Sequence, residues 1–151
     1  MAQKKQPRTV KESSTSPTEI FRGRPEVILE FIFDKGLFFI CVRNIGTRPA
    51  LKISIKFNRH IKGLGGHKDV SELPLFKNIE FLGPQREIVT FVDTSSSYFK
   101  RKEPTKISAR IIYSDPEQNK YEATINHDLE IYRELAFVDQ STNDDNLHCL
   151  S

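Results

Sequence analysis

The sequence predicts an all-β protein, an antiparallel β-sandwich of about seven strands. The clearest observation is residues 51–57, where apolar and polar side chains alternate (Leu-Lys-Ile-Ser-Ile-Lys-Phe). A strand places alternate side chains on opposite faces, whereas a helix would scatter the apolar ones around its surface. The second observation is spacing, because short apolar runs recur between Gly, Pro, Asn and Asp turns and none has a helical period.

The first two strands form a predicted β-hairpin. Residues 26–34 are β-branched and aromatic, and the tripeptide Asp34-Lys35-Gly36 that ends them suits a tight turn. Residues 37–44 are apolar at odd and even positions, which is typical of a strand buried between two layers. The connection 93–103 is expected to be a loop. Further strands are expected at residues 79–82, 87–92, 105–113 and 121–131.

Length and composition fit one domain with disordered ends. A chain of 151 residues with 37% apolar residues and eleven Phe can bury a core, and domains of this size seldom split. Both ends lack apolar periodicity, the first being rich in Lys, Arg and Ser and the last in Asp. We expect a disordered basic arm over residues 1–24, the sandwich over residues 25–133, and a flexible acidic tail over residues 134–151.

Charge and targeting signals point to a cytoplasmic protein. The net charge of +3 does not by itself indicate a nucleic-acid or membrane partner. No run approaches the roughly 20 apolar residues of a transmembrane helix, and the polar N-terminus does not resemble a signal peptide. Cys41 lies in an apolar run and Cys149 in the polar tail, so a disulfide between them is not expected.

One stretch of the chain carries a family resemblance. Residues 42–53 read Val-Arg-Asn-Ile-Gly-Thr-Arg-Pro-Ala-Leu-Lys-Ile. This resembles the signature V-x-N-x-G-x-x-x-A-x-x-V of immunoglobulin-like modules in bacterial and archaeal proteins, the CARDB-type and NEW3-type domains. Residues 79–84 look like the L-x-P-G turn of these modules, with Gly-Pro in place of Pro-Gly. The resemblance implies an immunoglobulin-like sandwich that is a non-catalytic spacer or binding domain. Asn44 and Gly46 are expected at a tight connection, because both residue types tolerate positive φ.

The sequence contains no recognisable catalytic or cofactor-binding motif. Gly-x-Ser-x-Gly, P-loop, Cys-x-x-Cys and His-Glu-x-x-His patterns are all missing. The glycine-rich residues 63–68 predict a flexible loop, because a phosphate cradle needs a helix directly after it. A zinc site needs ligands on rigid elements, so none is expected from His60, His67, His127 and His148. We expect no enzyme, cofactor or metal, with an enzyme whose active site lies in loops as the alternative.

The expected function follows from the missing motifs. A sandwich without a nucleophile, a base and an orienting group in a recognisable pattern acts through partners rather than through chemistry. We therefore expect an interaction or accessory module that binds a protein partner.

An alternative function comes from strand direction, since every second connection of an antiparallel sandwich emerges at the same end. The turn at residue 35 and the connections 59–69 and 93–103 then meet at one end. The members of this predicted basic end are Lys35, Arg59, Lys62, Lys68, Tyr98, Lys100, Arg101 and Lys102. Such a surface suits an anionic partner, either nucleic acid or lipid head groups. The competing interpretation is that basic residues populate loops because loops are solvated.

Overall fold

The computed structural model describes residues 23–134, which form two antiparallel β-sheets packed face to face. The strands are β1 (Val27–Asp34), β2 (Leu37–Asn44), β3 (Ala50–Phe57), β4 (Lys62–Gly63), β5 (Lys68–Asp69), β6 (Ile79–Leu82), β7 (Glu87–Thr94), β8 (Lys106–Ser114) and β9 (Lys120–Asp128). The short α-helices are α1 (Pro74–Lys77) and α2 (Ser95–Lys100). The expected arm 1–24 and tail 134–151 lie outside the described residues, except for residues 23, 24 and 134.

The seven main strands divide unequally between the sheets. One sheet has the order β1-β2-β7 and the other has the order β6-β3-β8-β9, while β4 and β5 form a separate small hairpin. All neighbouring strands are antiparallel, so the predicted sandwich of about seven strands is confirmed. The prediction of a loop over residues 93–103 is wrong, because residues 95–100 form α2. The Thr94 hydroxyl accepts a hydrogen bond from the Ser97 amide and caps a helix that begins with three serines, which give little helical signal.

The core lies between the inner faces of the sheets, and β3 shows how the alternating pattern builds it. Ile53 and Ile55 are buried and Lys56 is exposed, as predicted. At Lys52 the backbone has a φ of 52° and the register with β8 shifts, so Leu51 leaves the buried row and is only half-buried. The prediction is confirmed from Ile53 onwards and fails at Leu51, because a bulge changes the face that a side chain occupies.

Strand direction assigns the connections to two ends. We call the end with the β1–β2 turn the upper end and the opposite one the lower end. Because paired strands are antiparallel, the β3–β6 connection (residues 58–78) and the β7–β8 connection (residues 95–105) also lie at the upper end. The β2–β3, β6–β7 and β8–β9 connections lie at the lower end. The assignment of connections to ends made from the sequence is confirmed.

A buried amide closes the lower end. Asn44, the last residue of β2, is fully buried, and its Oδ1 accepts hydrogen bonds from the Glu26 and Gly46 amides at 3.1 and 2.9 Å. Its Nδ2 donates to the Arg48 and Leu82 carbonyls at 2.8 and 3.1 Å. One side chain thus joins the start of β1, the β2–β3 connection and the end of β6.

Gly46 is needed for a different reason from the one that the sequence predicted. Neither Asn44 nor Gly46 has a positive φ. A Cβ on Gly46 would lie 2.3 Å from the Arg24 carbonyl oxygen and 2.5 Å from the Glu26 nitrogen. The Asn-x-Gly pattern therefore reflects an amide that bridges strands and a glycine that lets two backbones approach closely.

Replacing Asn44 with Ala removes four hydrogen bonds and leaves buried backbone groups without partners. We expect the free energy of unfolding to fall by about 3 kcal/mol or more, measured by urea unfolding. Asn126→Ala is the matched control, because Asn126 is exposed on β9 and, within residues 23–134, its side chain bonds the Ser108 hydroxyl alone. The control should lose about 0.5 kcal/mol. Equal losses in the two variants would contradict the bridging role of Asn44.

Candidate binding surfaces

Arg101, predicted for the basic end, is part of the folded framework. Directly after α2, its guanidinium binds the Asp93 carboxylate at 2.6 Å and the Glu103 carboxylate at 3.0 Å. It also donates to the Lys62 carbonyl at 2.9 Å, and the Gly65 amide donates to Asp93 at 3.0 Å. Arg101 therefore ties the β3–β6 connection to β7 and α2.

Burial and hydrogen bonding act in opposite directions on this pair. Only 7% of the Asp93 side chain is exposed, and burial alone would raise its pKa. Hydrogen bonds from Arg101 and from the Gly65 and Thr94 amides outweigh burial, so the pKa of Asp93 lies below its ordinary value. Burial would lower the pKa of Arg101, but its contacts with Asp93 and Glu103 raise it. Both partners are therefore charged at neutral pH, and the pair is a structural contact.

Tyr98 is also unavailable to a ligand. Its side chain is fully buried, and its ring meets Phe38 edge-on with centroids 4.9 Å apart. Its hydroxyl donates to the Pro104 carbonyl at 2.6 Å, and burial raises the pKa of the phenol. Tyr98 and Arg101 were predicted to contact an anionic partner, but the structure places the Tyr98 side chain in the core and the Arg101 guanidinium against Asp93 and Glu103.

The other six predicted basic residues lie at the upper end with exposed or half-exposed side chains. They come from three separate connections, so the fold brings together residues that are far apart in the chain. They are Lys35, Arg59, Lys62, Lys68, Lys100 and Lys102. Acidic groups lie among them, since Asp69 is directly opposite Lys62 in the strand register of the β4–β5 hairpin. The upper end is therefore a mixed surface with an excess of positive charge.

A polar cluster that sequence reasoning missed lies in the β3–β6 connection. His60 Nδ1 lies 2.6 Å from one oxygen of Asp69, and the other oxygen accepts from the Ser71 hydroxyl at 2.5 Å. In a nucleophilic triad His, not Asp, contacts the serine, so this order does not activate Ser71. His60, Asp69 and Glu72 bring three possible metal-ligand atoms within 4.8 Å, but Glu72 is already paired with Lys77 at 2.8 Å. No motif marks this cluster, because the β4–β5 hairpin creates it.

The outer face of the three-stranded sheet is apolar. The register places Ile32, Phe39 and Phe91 in one row across β1, β2 and β7. The Phe39 and Phe91 rings pack edge-on with centroids 5.8 Å apart. Leu37, Val89 and Phe91 remain 38%, 46% and 41% exposed. We call this surface the outer apolar face, and its members are Ile28, Ile32, Leu37, Phe39, Val89 and Phe91, with the fully buried Cys41 beneath them.

Charged groups border the outer apolar face. Arg43 and Glu87 form an ion pair at 2.6 Å on its lower rim, and Glu30 lies beside Cys41 on the neighbouring strand. Burial, and then the charge of Glu87, raise the pKa of the Cys41 thiol to about 11. The thiol therefore stays protonated and is not a nucleophile at neutral pH.

The sequence signal for this face was the apolar run over residues 37–44, and its interpretation was wrong in one respect. A strand buried between two layers was expected. In the described part of the chain one layer covers β2, on the side of Phe38, Ile40 and Val42. The other side forms the outer apolar face. Sequence cannot distinguish the two situations, because a covered and an uncovered apolar face have the same residues.

The outer face of the four-stranded sheet is mostly polar. Lys56 on β3, Arg110 on β8 and Thr124 on β9 point outward from it. Arg110 and Glu122 form an exposed ion pair at 2.6 Å. Phe81 on the short strand β6 is a large exposed apolar side chain of this sheet. The two outer faces of the sandwich thus differ in chemistry.

One known protein family matches this chain. The family model, described as Domain of unknown function (DUF8453), matches residues 4–133. The chain belongs to this family. The DUF8453 match covers the whole sandwich and also includes residues 4–22, ahead of the described part. No curated protein and no solved structure matches the chain. Within residues 23–134, neither α-helix is long enough to cross a membrane.

Arg101→Met keeps much of the side-chain volume but leaves the Asp93 carboxylate buried without its cation. We expect a loss of about 3 kcal/mol in the free energy of unfolding at neutral pH, measured by urea unfolding. Because the pKa of Asp93 is lowered, the contribution of the pair is present at neutral pH and is lost as the pH falls below the ordinary value of 3.8. The difference between wild type and variant should therefore shrink in acid.

Lys100→Met is the matched control for this experiment, since Lys100 is an exposed residue of α2. Its stability should stay within about 0.5 kcal/mol of wild type. If the two variants lost the same stability, Arg101 would not have the structural role assigned to it.

Proposed function

We propose that this domain is a non-catalytic interaction module that binds a protein partner through the outer apolar face. The observation that carries the proposal is the chemical difference between the two outer faces of the sandwich. Single apolar side chains are normal on protein surfaces, whereas contiguous apolar patches mark interaction sites. Leu37, Val89 and Phe91 lie on neighbouring strands, and each is more than a third exposed.

The size of the face suits an interface of modest area. Three strands about 4.8 Å apart, each of about eight residues at 3.3 Å, span roughly 400 Å², which includes the charged residues Glu30, Arg43 and Glu87. This area lies in the range of functional patches on monomers and is about half of the 800 Å² that each partner buries in a stable complex. We infer a partner with apolar side chains at its centre and hydrogen-bonding groups at its rim, where Arg43 and Glu87 lie.

The polar clusters support a module without chemistry of its own. Asp93 and Arg101 hold connections together, and His60, Asp69 and Ser71 are linked in an order that does not activate the serine. Among the residues that the structure describes, none of these clusters joins a nucleophile, a base and an orienting group. A cytoplasmic location is part of the proposal, and microscopy of a fluorescent fusion tests it.

The strand order supports an immunoglobulin-like sandwich, the fold proposed from residues 42–53. Among the seven strands of the main sheets, the first, second and fifth share one sheet, and the third, fourth, sixth and seventh share the other. An immunoglobulin constant domain differs in that its fourth strand belongs to the first sheet.

The double substitution Ile32→Lys with Leu37→Lys tests the proposed face. Both side chains are partly exposed, Ile32 on β1 and Leu37 at the start of β2, so the chain should fold, while two ammonium groups should prevent an apolar surface from docking. We expect a loss of partner affinity of about tenfold or more. The partner is captured by cross-linking in extracts of cells that naturally make this protein. The purified partner is then titrated against each variant by calorimetry.

The matched control for the face carries the same changes on the opposite outer face, Ile112→Lys with Thr124→Lys. Its affinity should stay within about twofold of wild type, because the polar face is not the docking surface. A partner that binds all three proteins equally, or that cross-links to other surfaces, would contradict the proposal.

A second candidate function is the binding of an anionic ligand at the upper end. It is favoured by the six basic residues that three connections bring to that end. Because Tyr98 is buried and Arg101 is engaged, the predicted set has no exposed aromatic ring on which a base can stack. Phosphate groups, rather than bases, are therefore the chemistry that this end suits, and salt should screen the attraction.

The triple substitution of Lys68, Lys100 and Lys102 with Ser tests this candidate. Binding to anionic vesicles and to labelled single-stranded DNA should fall with salt and be about tenfold weaker in the triple variant. The matched control replaces Arg24, Arg86 and Lys120 with Ser, because these three residues are exposed at the lower end. Equal weakening in both variants, or no binding by the intact chain at low salt, would leave the upper end as a solvated surface.

A further inference from the structure

We infer that a second copy of this chain pairs with the free edge of β7, as antiparallel strands related by a twofold axis at Val89. Among the strands of residues 23–134, β7 is an edge strand of its sheet and pairs with β2 on one side only. The amides and carbonyls on its other side can accept a further strand. The inference rests on this edge and not on partner docking at the outer apolar face, so it holds or fails independently of the proposed function.

The other three edges of the main sheets are protected. The Tyr113 and His127 side chains lie beside the backbone of β1, at Val27 and Leu29. β6 has only four residues. β9 carries the charged residues Lys120, Glu122 and Asp128. Sheets protect their edges by such means, and an edge that lacks them is a site of strand pairing.

The unprotected part of β7 is residues 87–91. Above this segment the β3–β6 connection covers the strand, because a Cβ on Gly63 would lie 2.2 Å from the Val92 carbonyl oxygen. Below it the chain leaves the strand at Arg86. The segment reads Glu-Ile-Val-Thr-Phe, so neither proline nor lysine interrupts it. Five consecutive residues are thus available to a second strand.

Antiparallel self-pairing of this five-residue segment has its centre at Val89. Val89 then lies opposite Val89 of the second copy, and Phe91 lies opposite Glu87 of the second copy. Like charges directly opposite each other would destabilise the pairing, and this register brings none together. Glu87 is held by Arg43 at 2.6 Å, so a guanidinium also borders the position that Phe91 of the other copy takes, where it can stack on the ring.

The pairing has a consequence for the size of the apolar surface. Edge pairing buries much less than the roughly 800 Å² per partner of a stable complex, so the dimer should form only at high protein concentration. The twofold axis is perpendicular to the sheet, so the outer apolar faces of both copies lie on the same side. The combined face measures roughly 800 Å², the area that a standard interface needs.

Sedimentation equilibrium on the full chain tests the pairing. The mean mass of the wild type should rise from 17.4 kDa toward twice that value as the concentration increases. Val89→Lys places two ammonium groups opposite each other at the axis and should keep the mass at 17.4 kDa throughout. Thr124→Lys, at an exposed position of the edge strand β9, is the matched control and should dimerise as the wild type does.

Disulfide formation tests the register. In a chain with Cys41→Ala and Cys149→Ser, Val89→Cys brings two thiols to the axis with Cα atoms about 4.5–5.5 Å apart, which a disulfide can span. Cys41 is removed because it pairs directly with Val89 across β2 and β7. Mild oxidation should convert most of the Val89→Cys protein into a covalent dimer and should leave Thr124→Cys in the same background monomeric.

Three results would overturn the inference. The first is a wild-type mass that stays at the monomer value up to about 1 mM, a concentration at which even weak pairing is populated. The second is a dimer that survives Val89→Lys. The third is cross-linking of Thr124→Cys as fast as that of Val89→Cys, because the contact would then lie elsewhere. Loss of partner binding with normal dimerisation would bear on the proposed function alone.

Discussion

The side-chain amide of Asn44 is the contact on which the joining of the two sheets at the lower end depends. Asn44 belongs to the three-stranded sheet, yet its Nδ2 reaches the Leu82 carbonyl in the four-stranded sheet. A buried amide is tolerated when all its hydrogen bonds are made, so it fixes the positions of every backbone that it contacts. Gly46 follows from the same constraint, because the chain leading into β1 passes too close for a larger residue.

The sandwich covers its inner faces fully and its outer faces unequally. Phe38 and Ile111 are buried between the layers, whereas Val89 and Phe91 are partly exposed on the outer side of the three-stranded sheet. An apolar surface in water gains free energy whenever a second surface covers it. The open edge of β7 adjoins this surface, so strand pairing and face docking would use neighbouring parts of one sheet. This adjacency is the physical link between the two proposals.

The upper end shows why residue type alone does not define a binding surface. Tyr98 lies in α2 and Arg101 directly follows the helix three residues later with a helical backbone, so both side chains are on the inward side. The planar guanidinium of Arg101 can bind two carboxylates and a carbonyl at once. Lys100 and Lys102 lie on the solvent side and keep hydrated point charges. Had the helix been recognised, its period would have separated the framework residues from the surface residues.

The sequence by itself determined the seven main strands and the turns between them, the end at which each connection lies, and the absence of familiar catalytic motifs. These properties are local, since side-chain period and turn chemistry act over a few residues. Tertiary structure alone decided that no other part of residues 23–134 covers the outer side of β2, that Arg101 turns inward, and that His60 meets Asp69. Each depends on contacts between residues distant in the chain, such as Arg101 with the Lys62 carbonyl. The local sequence pattern cannot specify these contacts, because the same residue type can lie exposed to water or packed against a distant part of the chain.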